Sequence, residues 1–204
     1  MKITAITAQK KREGRYNVFI DDAFAFGING VDLLYYKIKE GEELSQSRYD
    51  ELMEQLSFIK AREAALNYIN YKMRTEKEVR QKLASDYTEE TVERVLEQFK
   101  EFGIVDDIKY AKLYINDCIN LKGRGRQRIL AELAVRGISR DIAEPFFEDL
   151  GDTMREKAER LMEKRIKSGS IDDMKEYKRH MDFLLRRGFD YETVKDILNK
   201  YKNT

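Results

Sequence analysis

Apolar and polar positions alternate with period two in RYNVFID and AFAFGI, which predicts two strands with Phe24, Phe26 and Ile28 on one face. KITAITAQ is a weaker third strand, and the turns KREG and Asp21-Asp22 separate the three into a small antiparallel meander. A short helix near Val31–Tyr36 follows, then a second around Tyr49, Leu52, Met53 and Leu56.

Beyond residue 60 the period becomes helical and the pattern repeats. Thr88, Ser139 and Asp190 are equally spaced, 51 residues apart (139 − 88 and 190 − 139), and all three are good N-cap types. A bulky apolar residue precedes each (Tyr87, Ile138, Phe189), where a hydrophobic staple would sit. The same stripe follows each cap: Val92, Val95, Leu96, Phe99; then Ala143, Phe146, Phe147, Leu150; then Val194, Ile197, Leu198, Tyr201. Two further helices fit in each copy. The first helices carry Ala61, Ala64, Ala65, Tyr68, Ile69; then Ile108, Ala111, Ile115, Cys118, Ile119; then Ala158, Leu161, Met162, Ile166. The middle helices end near Leu83, Leu133 and Leu184, and Gly137 and Gly188 can supply the left-handed residue that closes the last two. Pro145 falls inside a third helix and should remove one backbone bond and bend it locally.

The expected fold is therefore mainly α: three tandem three-helix repeats in an elongated, curved array behind a β meander with short helices. The expected boundaries are an N-terminal extension over 1–59 and repeats over 60–104, 105–151 and 152–204. Modules of about 50 residues are too small to be very stable alone and should lean on their neighbours.

Composition supports an extended body. Charged residues make up 38% of the 204, above the roughly 25% of an ordinary globule, while 42% are apolar. The single Cys118 excludes an internal disulfide and suits a reducing compartment. The first residues lack the apolar region of a signal peptide, and no apolar run approaches the ~18 residues of a membrane span. A cytoplasmic monomer without membrane contact is expected.

Candidate catalytic groups are few. His180, the only histidine, lies among charged neighbours in YKRHMDF and reads as a surface or helix-edge residue. Cys118 sits on an apolar stripe and reads as a small core residue. Three Asp pairs, 21–22, 106–107 and 172–173, could suggest Mg²⁺. The first is a hairpin turn and the others stand where helices begin and the dipole favours acids. Neither nucleotide-binding glycine pattern is present. No catalytic residue, metal or cofactor is expected.

Charge distribution is more informative than net charge, which is only +1. In NLKGRGRQRILAELAVRG, Ile129, Leu130, Leu133 and Ala134 form the buried stripe of a middle helix, so Arg124, Arg128 and Arg136 project from its sides with Lys122 near its N-terminus, and these with Arg126 are candidate binding residues. Cations near a helix N-terminus oppose its dipole, so helix stability does not explain them. Other basic residues cluster around the middle helices, Lys72 and Arg74 in the first copy and Lys178, Arg179, Arg186 and Arg187 in the third. Acids gather elsewhere, as in Glu89, Glu90, Glu93, Glu97 and Glu101. A positive strip of this kind binds phosphate backbones or acidic protein surfaces, and charge alone does not choose.

The segments AREAALNYINYKMRTEKEVRQKL, GIVDDIKYAKLYINDCI, KGRGRQRILAELAVRGIS and RRGFDYETVKDIL resemble the RecX family of bacterial recombination regulators. The resemblance runs from about residue 60 to the C-terminus, and RYNVFIDDAFAFGI is similar to the N-terminal extension of longer, Gram-positive-type members. The first copy departs from the family's glycine-bearing turn, having Ser85-Asp86-Tyr87 and one residue fewer. The resemblance implies a modulator of RecA, mainly an inhibitor, that binds the RecA–DNA filament and affects its assembly, ATPase, strand exchange and coprotease activities. It also implies contact with single- or double-stranded DNA without sequence specificity. An autonomous DNA-binding module that competes with RecA for DNA is the alternative, against which the near-zero net charge argues.

Overall fold

The computed structural model of the protein describes residues 1–166, 171 and 173–202. They form two compact units: Met1–Lys72 with Val79–Glu101, and Met73–Glu78 with the chain from Phe102 onward.

The first unit opens with strands β1 (Ile3–Ala8), β2 (Arg15–Ile20) and β3 (Ala23–Asn29), antiparallel in the order β1-β2-β3. Asp21 and Asp22 both have positive φ, 48° and 65°, as a two-residue hairpin turn matching the strand twist requires. Ile3, Val18, Ile20, Phe26 and Ile28 enter a core shared with Leu52, Leu56 and Ile59. Phe24 does not join them: it is 61% exposed and packs edge-on against Phe19. The reason is a β-bulge. Val18 pairs with Phe26 but Phe19 pairs with Phe24, so Ala25 is the extra residue and reverses the alternation.

Helix α1 (Gly30–Tyr35) is capped by Asn29 and helix α2 (Gln46–Ile69) by Ser45. The two helices read separately around Leu56 and Ala61 are one. SFIKAREAAL contains neither Gly nor Pro, so nothing stops propagation through it. Helix α3 (Glu76–Leu83) follows, then α4 (Glu89–Glu101), which buries Val92, Val95, Leu96 and Phe99 and packs along α2.

The second unit contains α5 (Asp107–Asn120), α6 (Arg126–Val135), α7 (Arg140–Ala143), α8 (Gly151–Glu163), α9 (Met174–Arg186) and α10 (Tyr191–Asn199). Their stripes form one core that runs from Ala111, Ile115 and Cys118 through Leu133 and Phe147 to Leu184, Val194 and Leu198. Thr88, Ser139 and Asp190 each accept a bond from the N–H three residues on, at 3.4, 3.4 and 2.8 Å. Gly137 and Gly188 close their turns at φ 88° and 87°. The N–H of Ile138 reaches Leu133 O and that of Phe189 reaches Leu184 O. The first copy closes differently, with Asp86 and Tyr87 N–H both on Leu83 O.

Three stripe positions differ from the sequence reading. Ile108, in the first turn of α5, is 61% exposed, and Ala134 of α6 is also exposed. His180 is 2% exposed, not a surface residue. It occupies the stripe position one turn before Leu184, so the polar letters around it belong to the other faces of α9. Pro145 does more than bend its helix: α7 ends at Ala143 and the chain continues as a 3₁₀ turn over Glu144–Phe147. Asp21-Asp22 is the hairpin turn, and Asp106 and Asp173 are N-caps, accepting from Lys109 and Glu176 N–H at 2.8 and 2.6 Å. The Asp172 part of that reading lies outside the described residues.

Candidate functional site

The N-terminus of α6 has no side-chain cap, because its N-cap residue is Gly125. Its orphan donors are met by the end of another helix. Gly125 N–H bonds Arg187 O at 2.7 Å, and Gln127 N–H bonds Gly188 O at 3.0 Å, both just past α9. Arg128 Nη1 donates to Arg186 O at 3.2 Å, and Arg187 Nη1 returns to Lys122 O and Gly123 O at 2.9 and 3.2 Å. Of the cations that oppose the α6 dipole, Arg128 thus serves the carbonyl end of α9, where positive charge is favourable.

The same joint recurs one repeat earlier. Thr75 and Glu78 form a reciprocal capping box at the start of α3, both bonds at 3.2 Å. The Thr75 hydroxyl also donates to Arg136 O at 2.8 Å, and Lys77 Nζ reaches Val135 O at 3.0 Å. Asp107 supports the junction by accepting the Glu76 N–H at 2.9 Å. Within the second unit, Thr75 and Lys77 thus take up the last carbonyls of α6, as α6 takes up those that follow α9.

Several expected site residues are half-buried and engaged within the chain. Arg124 does not reach outward: it folds back onto Glu132 and the Tyr114 hydroxyl. Arg74 is largely covered and lies 4.0 Å from Glu78. Arg136 stacks over Tyr114 at 4.7 Å and donates to Glu132 O at 2.8 Å, and Arg187 stacks over Phe183 at 4.7 Å. Lys72, Lys122, Arg126, Arg128, Lys178, Arg179 and Arg186 remain exposed. Of these, Lys122 lies 5.1 Å from the Tyr114 ring, Arg126 pairs with Glu144, and Arg179 pairs with Glu176 at 3.0 Å.

Glu132 is the hub of the half-buried group. Burial works against its charge, but hydrogen bonds from Tyr114 (2.7 Å) and Arg128 (3.0 Å) and the charge of Arg124 hold its pKa below the ordinary value. Burial, then the bond to Glu132, push the Tyr114 phenol well above its usual pKa. His180 is lowered by burial; its Nδ1 accepts from Arg165 Nε at 3.1 Å.

The sequence reading missed a polar network in the first unit. Buried Asp32 accepts two bonds from Arg62 Nη2 at 2.7 and 2.9 Å, and Asn29 joins it to Glu63, which Arg15 holds at 3.0 Å. Beside it lies a cleft in which Arg94 stacks on Phe58 at 4.7 Å. In the sequence Asp32 looks like any first-turn acid. Its one distinguishing sign is its place within GVDLLY, among apolar letters.

Among the described residues no group of three or more His, Cys, Asp or Glu could hold a metal, and no helix is long and apolar enough to cross a membrane. The fold and surface define a helical-repeat protein whose distinctive chemistry is paired surface charge.

Family profiles match in chain order. The RecX N-terminal domain covers residues 1–45, and the first, second and third RecX three-helix domains cover 61–99, 106–144 and 152–198. The regulatory protein RecX of Clostridioides difficile is 32% identical over 98% of this chain and 96% of its own length. That of Clostridium perfringens (strain 13 / Type A) is 34% identical over 99% and 97%. A crystal structure of regulatory protein RecX superposes with TM-score 0.78 at 28% identity, covering 97% of this chain and 98% of that one. RecX from Lactobacillus salivarius gives 0.65 at 30% identity over 71% and 96%. The chain belongs to the RecX family of regulatory proteins.

Proposed function

We propose that this protein regulates RecA, mainly as an inhibitor, by binding the RecA–DNA nucleoprotein filament through the exposed basic residues of its helical repeats. One observation carries this reading beyond family membership. Arg128, Arg136 and Arg186, from two repeats, line one groove that holds a single carboxylate, Glu132. Positive charge brought together from separate helices suits a surface of phosphates or carboxylates. Arg74, Arg124 and Arg187 position this surface from within, while Lys72, Lys122, Arg126, Lys178 and Arg179 add long-range attraction. Three three-helix domains in series present several weak contacts, which together suit a polymeric target. No metal, nucleotide or other cofactor enters this reading, and it needs no membrane. The protein acts as a cytoplasmic monomer, with domain limits near residues 59, 104 and 151.

The test titrates the protein into RecA ATPase assays on single-stranded DNA, beside direct DNA binding in the same salt. Falling ATPase at concentrations where free DNA is unbound supports filament binding. ATPase that falls only as DNA becomes occupied supports an autonomous DNA-binding competitor. No effect on either rejects both.

A further inference from the structure

We infer that the groove between α6 and the end of α9 receives an acidic, amphipathic helix of the filament's protein component, and not nucleic acid. The inference rests on the filament reading above and names what this part of the surface touches. Its floor is apolar: Ala131 and Val135 of α6, with Leu185 of α9. Val135 is 74% exposed although it belongs to an ordered helix beside a buried core. Cations ring this floor, with Arg128, Arg136 and Arg186 on its rim. The single acid in the lining, Glu132, is held by Arg124, Arg128 and Tyr114 and offsets part of that charge, and the lining stays net positive with Arg136 and Arg186.

The two features together select the occupant. A phosphodiester backbone satisfies the rim but sets charged oxygens over Val135 and Leu185, whose burial then gains nothing. A purely apolar helix fills the floor and strips water from three guanidinium groups without compensation. A helix with one or two aliphatic anchors at i, i+3/i+4 spacing and Asp or Glu beside them satisfies both. Arginine suits the rim because its fork makes paired bonds to carboxylates. Burying Val135 at the centre, with charges at the margin, follows the usual layout of a protein interface.

The test uses the full chain with Val135→Glu and, separately, Ala131→Glu. Both positions are exposed on one helix, and glutamate is a good helix former, so folding should persist, as checked by circular dichroism and thermal melts. Val135→Leu is the control that keeps the anchor. Each variant is titrated into RecA ATPase on single-stranded DNA and, separately, into labelled DNA alone. The expected result is at least a tenfold rise in the concentration needed for half-inhibition for both glutamate variants, unchanged DNA binding for both, and near-wild-type inhibition for Val135→Leu. Inhibition and DNA binding lost in parallel would overturn the inference and place DNA in the groove. Inhibition retained by both folded glutamate variants would overturn it as well. A wild-type chain that leaves the ATPase untouched would reject the filament reading itself, and this inference with it. A wild type that inhibits beside variants that inhibit equally rejects only the groove.

Discussion

Gly125 and Gly188 meet backbone to backbone: a Cβ on Gly125 would lie 2.2 Å from the Gly188 carbonyl carbon and from Phe189 N. A Cβ on Gly188, at φ 87°, would lie 2.3 Å from Arg128 N. The obstructing atoms are backbone, and no rotamer change can move them. This contact lets the end of α9 cap α6, so it couples the second and third helical modules through hydrogen bonds as well as through their core.

Gly125→Ala should therefore destabilise the protein by about 2 kcal/mol or more, the upper range for forced overpacking. Gly151→Ala serves as the contrast, since a Cβ there meets nothing within 4 Å and the residue begins α8. That change should be neutral or stabilise by about 0.4–1 kcal/mol through the unfolded chain. Urea melts of both variants decide it, and equal stability of the two would mean the helix ends are not in contact.

Leu133 and Phe147 belong to the single core of the second unit. Leu133→Ala and Phe147→Ala should each cost about 2–5 kcal/mol, measured by the same melts. A loss below about 0.5 kcal/mol in both would be the behaviour of surface positions.

Glu132→Gln removes the charge that Arg124, Arg128 and Tyr114 share. Charge-assisted bonds in a half-buried setting are worth about 1–3 kcal/mol, and a loss in that range is expected. The Tyr114 phenol should then titrate nearer its ordinary value of about 10, read as the difference between the ultraviolet titrations of variant and wild type, since twelve tyrosines absorb together. An unmoved tyrosine titration would show that Glu132 and Tyr114 are not bonded.

The pH dependence follows from His180. Burial lowers its pKa in the folded protein below the unfolded value of about 6.5. The folded state then binds fewer protons than the unfolded state between the two values. Stability is complete above about pH 6.5 and declines as pH falls towards the lower folded pKa. The neighbouring groups divide: Glu176 favours the charged ring, while Arg165 and Arg179 oppose it. His180→Gln should flatten the slope of unfolding free energy below about pH 6.5. A slope as steep as wild type would assign the effect to another group.

Purified protein should neither cleave DNA nor hydrolyse ATP, with or without Mg²⁺. Asp106 and Asp107 are occupied at helix starts, each accepting a backbone N–H. DNA cleavage that Asp106→Asn with Asp107→Asn abolishes, in a folded variant, would reverse this expectation.

The sequence by itself determined the elements that rest on short-range order. The stripes of α4 and α10, the caps Thr88, Ser139 and Asp190, and the closing glycines Gly137 and Gly188 all lie within one or two turns of what they act on. A helix period and a cap distance are local quantities, so they are readable from letters alone. The same holds for the Asp21-Asp22 hairpin and for Cys118 in the core. Even locally, one inserted residue misled the reading: the bulge at Ala25 put Phe24 outside, because period-two alternation assumes an unbroken register.

What only the tertiary structure decided was the employment of the charges. Arg128 reaches the Arg186 carbonyl across 58 residues of chain, and Arg187 reaches Lys122 O across 65. Arg124 pairs inward while Arg186 stays exposed, although each stands beside other cations in sequence. A charged side chain carries no periodic mark of its partner, since its long stem lets it turn towards whichever acid or carbonyl the fold brings near. His180 entered the core for a related reason: its neighbours in sequence point to other faces of α9, and the residues that enclose it come from elsewhere in the unit. Local spacing set the helices and their buried faces, and long-range packing set which cations pair within the chain and which stay exposed.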